Sequence, residues 1–354
     1  MLKGKMLSAL PELLKMDDGA PVTDRESWRA RRGELLKTVI DMEYGGMPPE
    51  PKTLRVEELS ITPPGGINCY RIVADGYPFY LRIYKPSLPF RPPYPAVLYG
   101  DGCWKYMNDA FIAEVNRRGF ALAVFDRLEL ASDVKDSGRS AGIYALYPER
   151  EFGALSAWAW GYLRAMDALE RIDLIDDSRV GITGHSRGGK TVLLAGAVDE
   201  RFAFVNPNNS GAGGCGCYRF HTESDTPGGG GEMRSETLRD LLNNFDFWFG
   251  REMQKYADDE ASLPFDQHMM KALVAPRVLL QTEALNDIWA NAKGTYLTHE
   301  AAKAVYRLLG AENNIILRYR EGNHRHDLNA LCAFLDCMEG KTLADNTPEW
   351  VKSI

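Results

Sequence analysis

The stretch GITGHSRGGKTVLLAG, residues 181–196, carries two catalytic spacings at once. Gly184, Ser186 and Gly188 satisfy GxSxG, a sharp strand-to-helix turn that presents a serine hydroxyl for nucleophilic attack. Gly184, Gly189, Lys190 and Thr191 satisfy GxxxxGK[ST], whose backbone amides cradle phosphates. The remaining parts of each machine must decide between them. A phosphate loop needs an aspartate at the end of a second strand to hold magnesium. Here FAFVNP ends in Asn206 and Pro207, RVLLQTE ends in Thr282 and Glu283, and bulky His185 and Arg187 flank the serine. A serine hydrolase needs an acid and then a histidine, each just past a later strand. RVLLQTEALNDIWAN places Asp287 past one strand, and IILRYREGNHRHD places His324 past the next, in the required order.

Each residue also has a plainer role open to it. Ser186 suits a helix N-cap, and Asp287 suits a cap on the helix that follows it. His326 competes with His324 two residues earlier, and His324 is favoured because it directly follows the turn REGN off the strand. Glu283, near the same strand end as Asp287, is the reserve acid.

Both spacings require a strand before them and a helix after, and SRVGIT and KTVLLAGAV supply these. RESWRARRGELLKTVIDMEYGG reads as an N-terminal helix closed by Pro48, Pro49 and Pro51. TLRVEELSIT, INCYRIVAD and FYLRIYKP alternate and end at Gly, Asp or Pro, as an antiparallel meander does. YPAVLYG is a continuous apolar run, the mark of a strand covered on both faces. From there strands and helices alternate: DAFIAEVNRRG, FALAVFD, LSAWAWGYLRAMDALERI, RVGIT, FAFVNP, RVLLQTE, THEAAKAVYRLLG, NIILRYR, and a last helix near LNALCAFLDCM. This rhythm predicts a mostly parallel sheet with right-handed crossovers, covered by helices on both sides. We expect a helical extension over 1–50 and one α/β-hydrolase domain over 51–354. Residues 208–263, with GAGGCGC, TPGGGGE and SETLRDLLNNFDFWFG, read as an insertion at the open end of the sheet.

The net charge of −7, with no Lys/Arg block, leaves nucleic-acid binding without a basis. No run of about 18 apolar residues offers a membrane span. The six cysteines do not form a disulfide scaffold, and Cys215 and Cys217 lack a second Cys/His pair at zinc spacing, so free thiols are expected rather than a metal site. The start, MLKGKMLSALPELLKMDDGAP, has Lys15, Asp17 and Asp18 where a signal peptide would place its apolar stretch. It reads as a cytoplasmic protein, or as a secreted one whose signal has been removed.

VGITGHSRGGKTVLLAGAVDERFAFVNPNNSGAGGCGCYRF, LPFDQHMMKALVAPRVLLQTE, ALSAWAWGYLRAMDAL and GNHRHD together resemble the glucuronoyl esterases, carbohydrate esterase family 15 of the α/β-hydrolases. The resemblance runs from about Tyr94 to Asp336 and implies cleavage of esters between 4-O-methyl-glucuronic acid on xylan and lignin alcohols, without a cofactor. It implies Ser186 as nucleophile and His324 as its base, with Arg187 supplying its backbone amide and its guanidinium to the oxyanion hole. Lys190 matches a family lysine that meets sugar hydroxyls, and Trp289 matches a tryptophan beside the uronate, although core packing suits Trp289 as well. Glu236 stands near the family's other polar sugar contact. Fungal members carry a disulfide-bonded Cys directly before the nucleophile where this chain has His185, a loss that agrees with a reducing compartment. A family glutamate has no equivalent at Phe245. Another, the triad acid of many members, is matched by Asn209, so the acid's duty is expected to pass to Asp287. The reading that results is a serine esterase acting on a carbohydrate ester. Alternatives are an acetyl-xylan or general small-ester esterase, a catalytically silent carbohydrate-binding hydrolase fold, and, weakest, a nucleotide-binding protein.

Overall fold

The computed structural model describes residues 2–60, 67–104, 107–223 and 234–353. Among these residues nine strands form one sheet, in spatial order β1-β2-β3-β5-β4-β6-β7-β8-β9. They are β1 (Leu54–Glu58), β2 (Ile67–Ala74), β3 (Tyr77–Tyr84), β4 (Tyr94–Tyr99), β5 (Ala121–Phe125), β6 (Ile175–His185), β7 (Phe204–Asn208), β8 (Val278–Ala284) and β9 (Ile315–Arg320). The first three form the antiparallel meander, turned between β2 and β3 by Asp75 and Gly76, both at positive φ as a two-residue hairpin demands. From β5 to β9 every neighbouring pair is parallel. We number the helices of eight or more residues α1 (Arg25–Tyr44), α2 (Asp109–Arg117), α3 (Ala154–Leu169), α4 (Arg187–Val198), α5 (Leu238–Phe245), α6 (Ala292–Leu308) and α7 (Leu328–Met338).

The three layers follow from the period-two geometry of the central strands. Ala96, Leu98, Ala121, Ala123 and Phe125 pack on one side with Trp158, Tyr162 and Met166 of α3 and Val192 and Leu193 of α4. Val97, Tyr99, Leu122 and Val124 face the other side, against Phe111 and Val115 of α2 and Leu331, Phe334 and Leu335 of α7. Trp28, Leu35, Val39, Ile40 and Tyr44 of α1 join the first of these cores.

Some boundaries differ from the sequence expectations for identifiable reasons. β6 begins at Ile175, ahead of SRVGIT, because Ile175 pairs with Tyr94 across a bulge in the β4 register. α6 begins at Ala292, because the Asn291 side chain accepts from the Gly294 amide and caps the helix there. A short helix, Leu2–Leu7, precedes α1 within the stretch 1–50 expected to be helical. Of the insertion, TPGGGGE lies outside the described residues. The remainder leaves the end of β7, forms α5 and returns through the short helix Gln267–Ala272 to β8.

Candidate active site

The central parallel strands end on one edge of the sheet, and the chemistry-bearing residues gather beyond those ends, where ligands bind in open α/β sheets. β6 runs directly into Ser186, which has φ 58° and ψ −121° and makes no side-chain cap bond to α4. Such a conformation is costly for a residue with a Cβ and is that of a strained strand-to-helix elbow rather than of a capping serine. The glycines of the motif are required by contact. A Cβ on Gly184 would lie 2.4 Å from the Gly188 carbonyl oxygen, and one on Gly188 would lie 1.9 Å from Oδ2 of Asp101. Because Ser186 does not cap α4, the first amides of that helix keep no intrahelical acceptor and point their dipole toward the serine.

Asp287 follows β8 and is buried. Its Oδ2 lies 2.6 Å from Nδ1 of His324 and accepts from Nδ2 of Asn209, also at 2.6 Å, while its Oδ1 accepts from the Ala290 amide at 3.2 Å. The His324 side chain remains 38% exposed. His326, the competing base, is buried against Tyr99 and Phe111, and burial drives its imidazole down to about 4, so it stays neutral at neutral pH. His185 lies beneath His324 with ring centroids 4.6 Å apart, its Nδ1 2.7 Å from Oδ1 of Asn208; burial first, then the neighbouring histidines, push it to about 2. Glu283 is fully buried with Oε1 3.2 Å from the Thr295 hydroxyl, and burial raises it to about 8. A carboxyl that is protonated at neutral pH is a poor orienter for an imidazolium.

Arg187 donates from Nη1 to Oδ2 of Asp133 at 2.8 Å, and its guanidinium lies 4.7 Å from the ring of Trp248 and 5.2 Å from that of Phe245. Asp133 also accepts from Arg127 at 2.9 Å and from the Trp248 indole at 3.0 Å, and Arg127 continues to Asp101 at 2.7 Å. Arg127, Asp133 and Asp101 escaped the sequence reading. A usable signal existed only for Asp101 and Arg127, charges placed just after the apolar runs VLY and AVF. Asp133 sits in an irregular loop that offers none.

Lys190 is buried and uses its three protons on the carbonyls of Ser210 and Ala212 and on Oε2 of Glu236, the last at 3.0 Å. Oε1 of Glu236 accepts from the Trp289 indole at 3.2 Å, and the Glu236 amide donates to the Trp289 carbonyl at 3.1 Å. The insertion is thereby stapled to the loop that carries Asp287. The phosphate-loop spacing has no machinery behind it: Gly188 and Gly189 lie inside α4, Lys190 is saturated, and the Thr191 hydroxyl donates to the Arg187 carbonyl at 2.9 Å. Cys215 and Cys217 are buried free thiols, with the Cys217 thiol 3.3 Å from Asp266. Among the described residues, no helix is long and apolar enough to cross a membrane.

A strained serine elbow, an acid–imidazole couple past two later strands and a mostly parallel sheet define a serine esterase of the α/β-hydrolase fold. The fungal glucuronyl esterase family model matches residues 76–310. The chain belongs to the glucuronoyl esterases, carbohydrate esterase family 15. The 4-O-methyl-glucuronoyl methylesterase of Schizophyllum commune is 30% identical over 348 residues, covering 92% of this chain and 79% of that protein. A glucuronoyl esterase of the same family from Caldicellulosiruptor kristjansonii superposes with a TM-score of 0.84 at 31% identity, covering 96% of this chain and 93% of that one. A serine-to-alanine mutant of the Sporotrichum thermophile glucuronoyl esterase, solved with methyl 4-O-methyl-β-D-glucopyranuronate, matches at 27% identity with a TM-score of 0.77, covering 95% of this chain and 89% of that one. The expectation of a cytoplasmic protein is overturned, since the fungal enzymes of this family are secreted. The exchange of the family's cysteine for His185 therefore does not report a reducing compartment. Packing of His185 against His324 accounts for that position instead.

Proposed function

We propose that Ser186, His324 and Asp287 are the triad of this glucuronoyl esterase and that its substrate is a 4-O-methyl-glucuronoyl ester on a glucuronoxylan fragment. The observation that carries the reading is the short Asp287–His324 contact beside the strained elbow of Ser186. His324 Nε2 takes the Ser186 proton as Oγ attacks the ester carbonyl. The alcohol departs with that proton, and water, deprotonated by the same nitrogen, then cleaves the acyl-serine to give the uronic acid and free Ser186. Arg187 and the first amides of α4 stabilise the alkoxide that exists only in the transition state. Lys190 acts through Glu236, whose buried carboxyl is positioned to meet sugar hydroxyls, and Trp289 walls the uronate.

Arg187→Ala is expected to lower kcat by about 10²–10³ with a smaller change in KM, the loss typical of one oxyanion donor. Steady-state kinetics on benzyl glucuronate check this. If only KM moves, Arg187 is a ground-state contact.

A second reading, a general small-ester esterase, draws support from Phe245. It stacks on Trp248 at 4.0 Å and gives an apolar wall where the family resemblance places a glutamate. Comparing kcat/KM on benzyl glucuronate and on 4-nitrophenyl acetate decides between them. A strong preference for the uronate is expected, and comparable values would leave the general-esterase reading.

A further inference from the structure

We propose that Arg320 is a positioning residue for the esterase reaction, one guanidinium that orients both halves of the Asp287–His324 couple without touching substrate. The inference rests on the triad reading above. Arg320 ends β9, and its side chain is only 10% exposed. Nη1 donates to the Glu321 carbonyl at 3.2 Å and lies 3.3 Å from Oδ2 of Asp327. Nη2 donates to the carbonyls of Asn323, at 3.3 Å, and of Arg325. These acceptors bracket His324 on both sides in sequence, so residues 321–327 are wound around a single planar donor. The far end of the loop is held in turn by Oδ1 of Asp327, which accepts from the Ala330 amide and caps α7.

The same Nη2 also donates to Oδ1 of Asn209 at 3.2 Å. Asn209 sits at positive φ, its amide bonded to the Thr282 carbonyl, so its side chain has little freedom beyond rotation of the carboxamide. The orientation of that carboxamide is decided by its partners. With Oδ1 toward Arg320, Nδ2 donates to Oδ2 of Asp287, the oxygen that also faces His324. The flipped carboxamide would set its NH₂ against the guanidinium and its oxygen against the carboxylate, exchanging two attractions for two repulsions. Arg320 therefore selects the one state in which Asn209 holds Asp287 aimed at the imidazole. Lysine carries the charge but not the fork that spans these acceptors.

The test compares Arg320→Met, Arg320→Lys, Arg320→Ala and Asn209→Leu with the unaltered enzyme. For each, kcat is normalised by phosphonate titration of competent sites, and KM and the melting temperature are measured. Arg320→Met is expected to lose about 10–10²-fold in kcat with little change in KM, the penalty of slight misplacement of catalytic groups. Arg320→Lys should not recover this loss. Added millimolar guanidinium ion should restore activity to Arg320→Ala and leave the unaltered enzyme unchanged. Asn209→Leu, which leaves the loop intact, should lose kcat in the same way. Unaltered kcat in Arg320→Met or in Asn209→Leu would overturn the proposal, as would a loss in Arg320→Ala that follows melting temperature and ignores guanidinium. Asp287→Asn, run in parallel, separates the two levels. If it is inactive while Arg320→Met is fully active, only this inference fails, and if it is fully active, the triad reading itself fails.

Discussion

Ser186→Ala is expected to reduce kcat by about 10⁶-fold, roughly 8 kcal/mol of lost transition-state stabilisation, with KM nearly unchanged. The size follows from the division of labour at the site. Without the hydroxyl no acyl-enzyme can form, and His324 has no proton to take. The amides of α4 and the Arg187 guanidinium still surround the carbonyl and leave a small residual rate over water. Alanine keeps the Cβ and therefore the strained φ of 58°, so the elbow neither relaxes nor collapses, and the melting temperature should stay close to that of the unaltered protein. Single-turnover kinetics on benzyl glucuronate and mass spectrometry after treatment with an organophosphonate read the result. The adduct should form on the unaltered enzyme and be missing from Ser186→Ala. Retained activity or retained labelling in the variant would mean that another group is the nucleophile.

The second large effect belongs to Asp287→Asn, for which a fall in kcat of up to about 10⁴-fold is expected. Among the described residues the polar contacts of this carboxylate are donors: the Ala290 amide on Oδ1, and Asn209 Nδ2 and His324 Nδ1 on Oδ2. An asparagine must turn its NH₂ toward one side or the other, and either choice sets donor against donor. If the NH₂ faces His324, the imidazole is driven to the tautomer whose proton sits on Nε2, and that nitrogen can no longer accept from serine. The charge that stabilises the imidazolium is lost as well. Activity near that of the unaltered enzyme would point to a different carboxylate. Glu283 is the nearest alternative on the same strand end, but burial raises it to about 8, so below that pH it is largely neutral. A Glu283-dependent enzyme would therefore gain activity only on the alkaline side, a pH profile that distinguishes it from one using Asp287.

Much of the architecture is legible along the chain because it is local. Alternation in TLRVEELSIT and INCYRIVAD, against the unbroken apolar runs YPAVLYG and FALAVFD, separates a half-exposed antiparallel meander from strands buried on both faces. The elbow is local too: Gly184, Ser186 and Gly188 lie within one turn, and the contacts that forbid a Cβ at Gly184 come from within the motif itself. The order of Ser186, Asp287 and His324 past the ends of β6, β8 and β9 is likewise a property of the linear pattern. Helix starts are less legible, as α6 illustrates, because its cap, Asn291, is itself held by the Phe220 carbonyl 71 residues away.

The linear pattern alone therefore sets the class of fold, the turn that carries Ser186 and a short roster of acids and bases: Asp287 or Glu283, His324 or His326. The choice proposed among them rests on burial and long-range contact, which exist only once the chain has folded. His324 meets Asp287 across 37 residues of chain, and Asn209 meets the same carboxylate across 78. Two residues separate His324 from His326, yet one stands half in solvent against a carboxylate, while the other is shut among Tyr99, Phe111 and His185 and loses its proton affinity there. Nor does the sequence record that the side chains of Lys190 and Arg320 are withdrawn from solvent. Folding buries both and uses their donors within the protein, because a charge removed from water must find its partners inside, and no local pattern records where those partners will be.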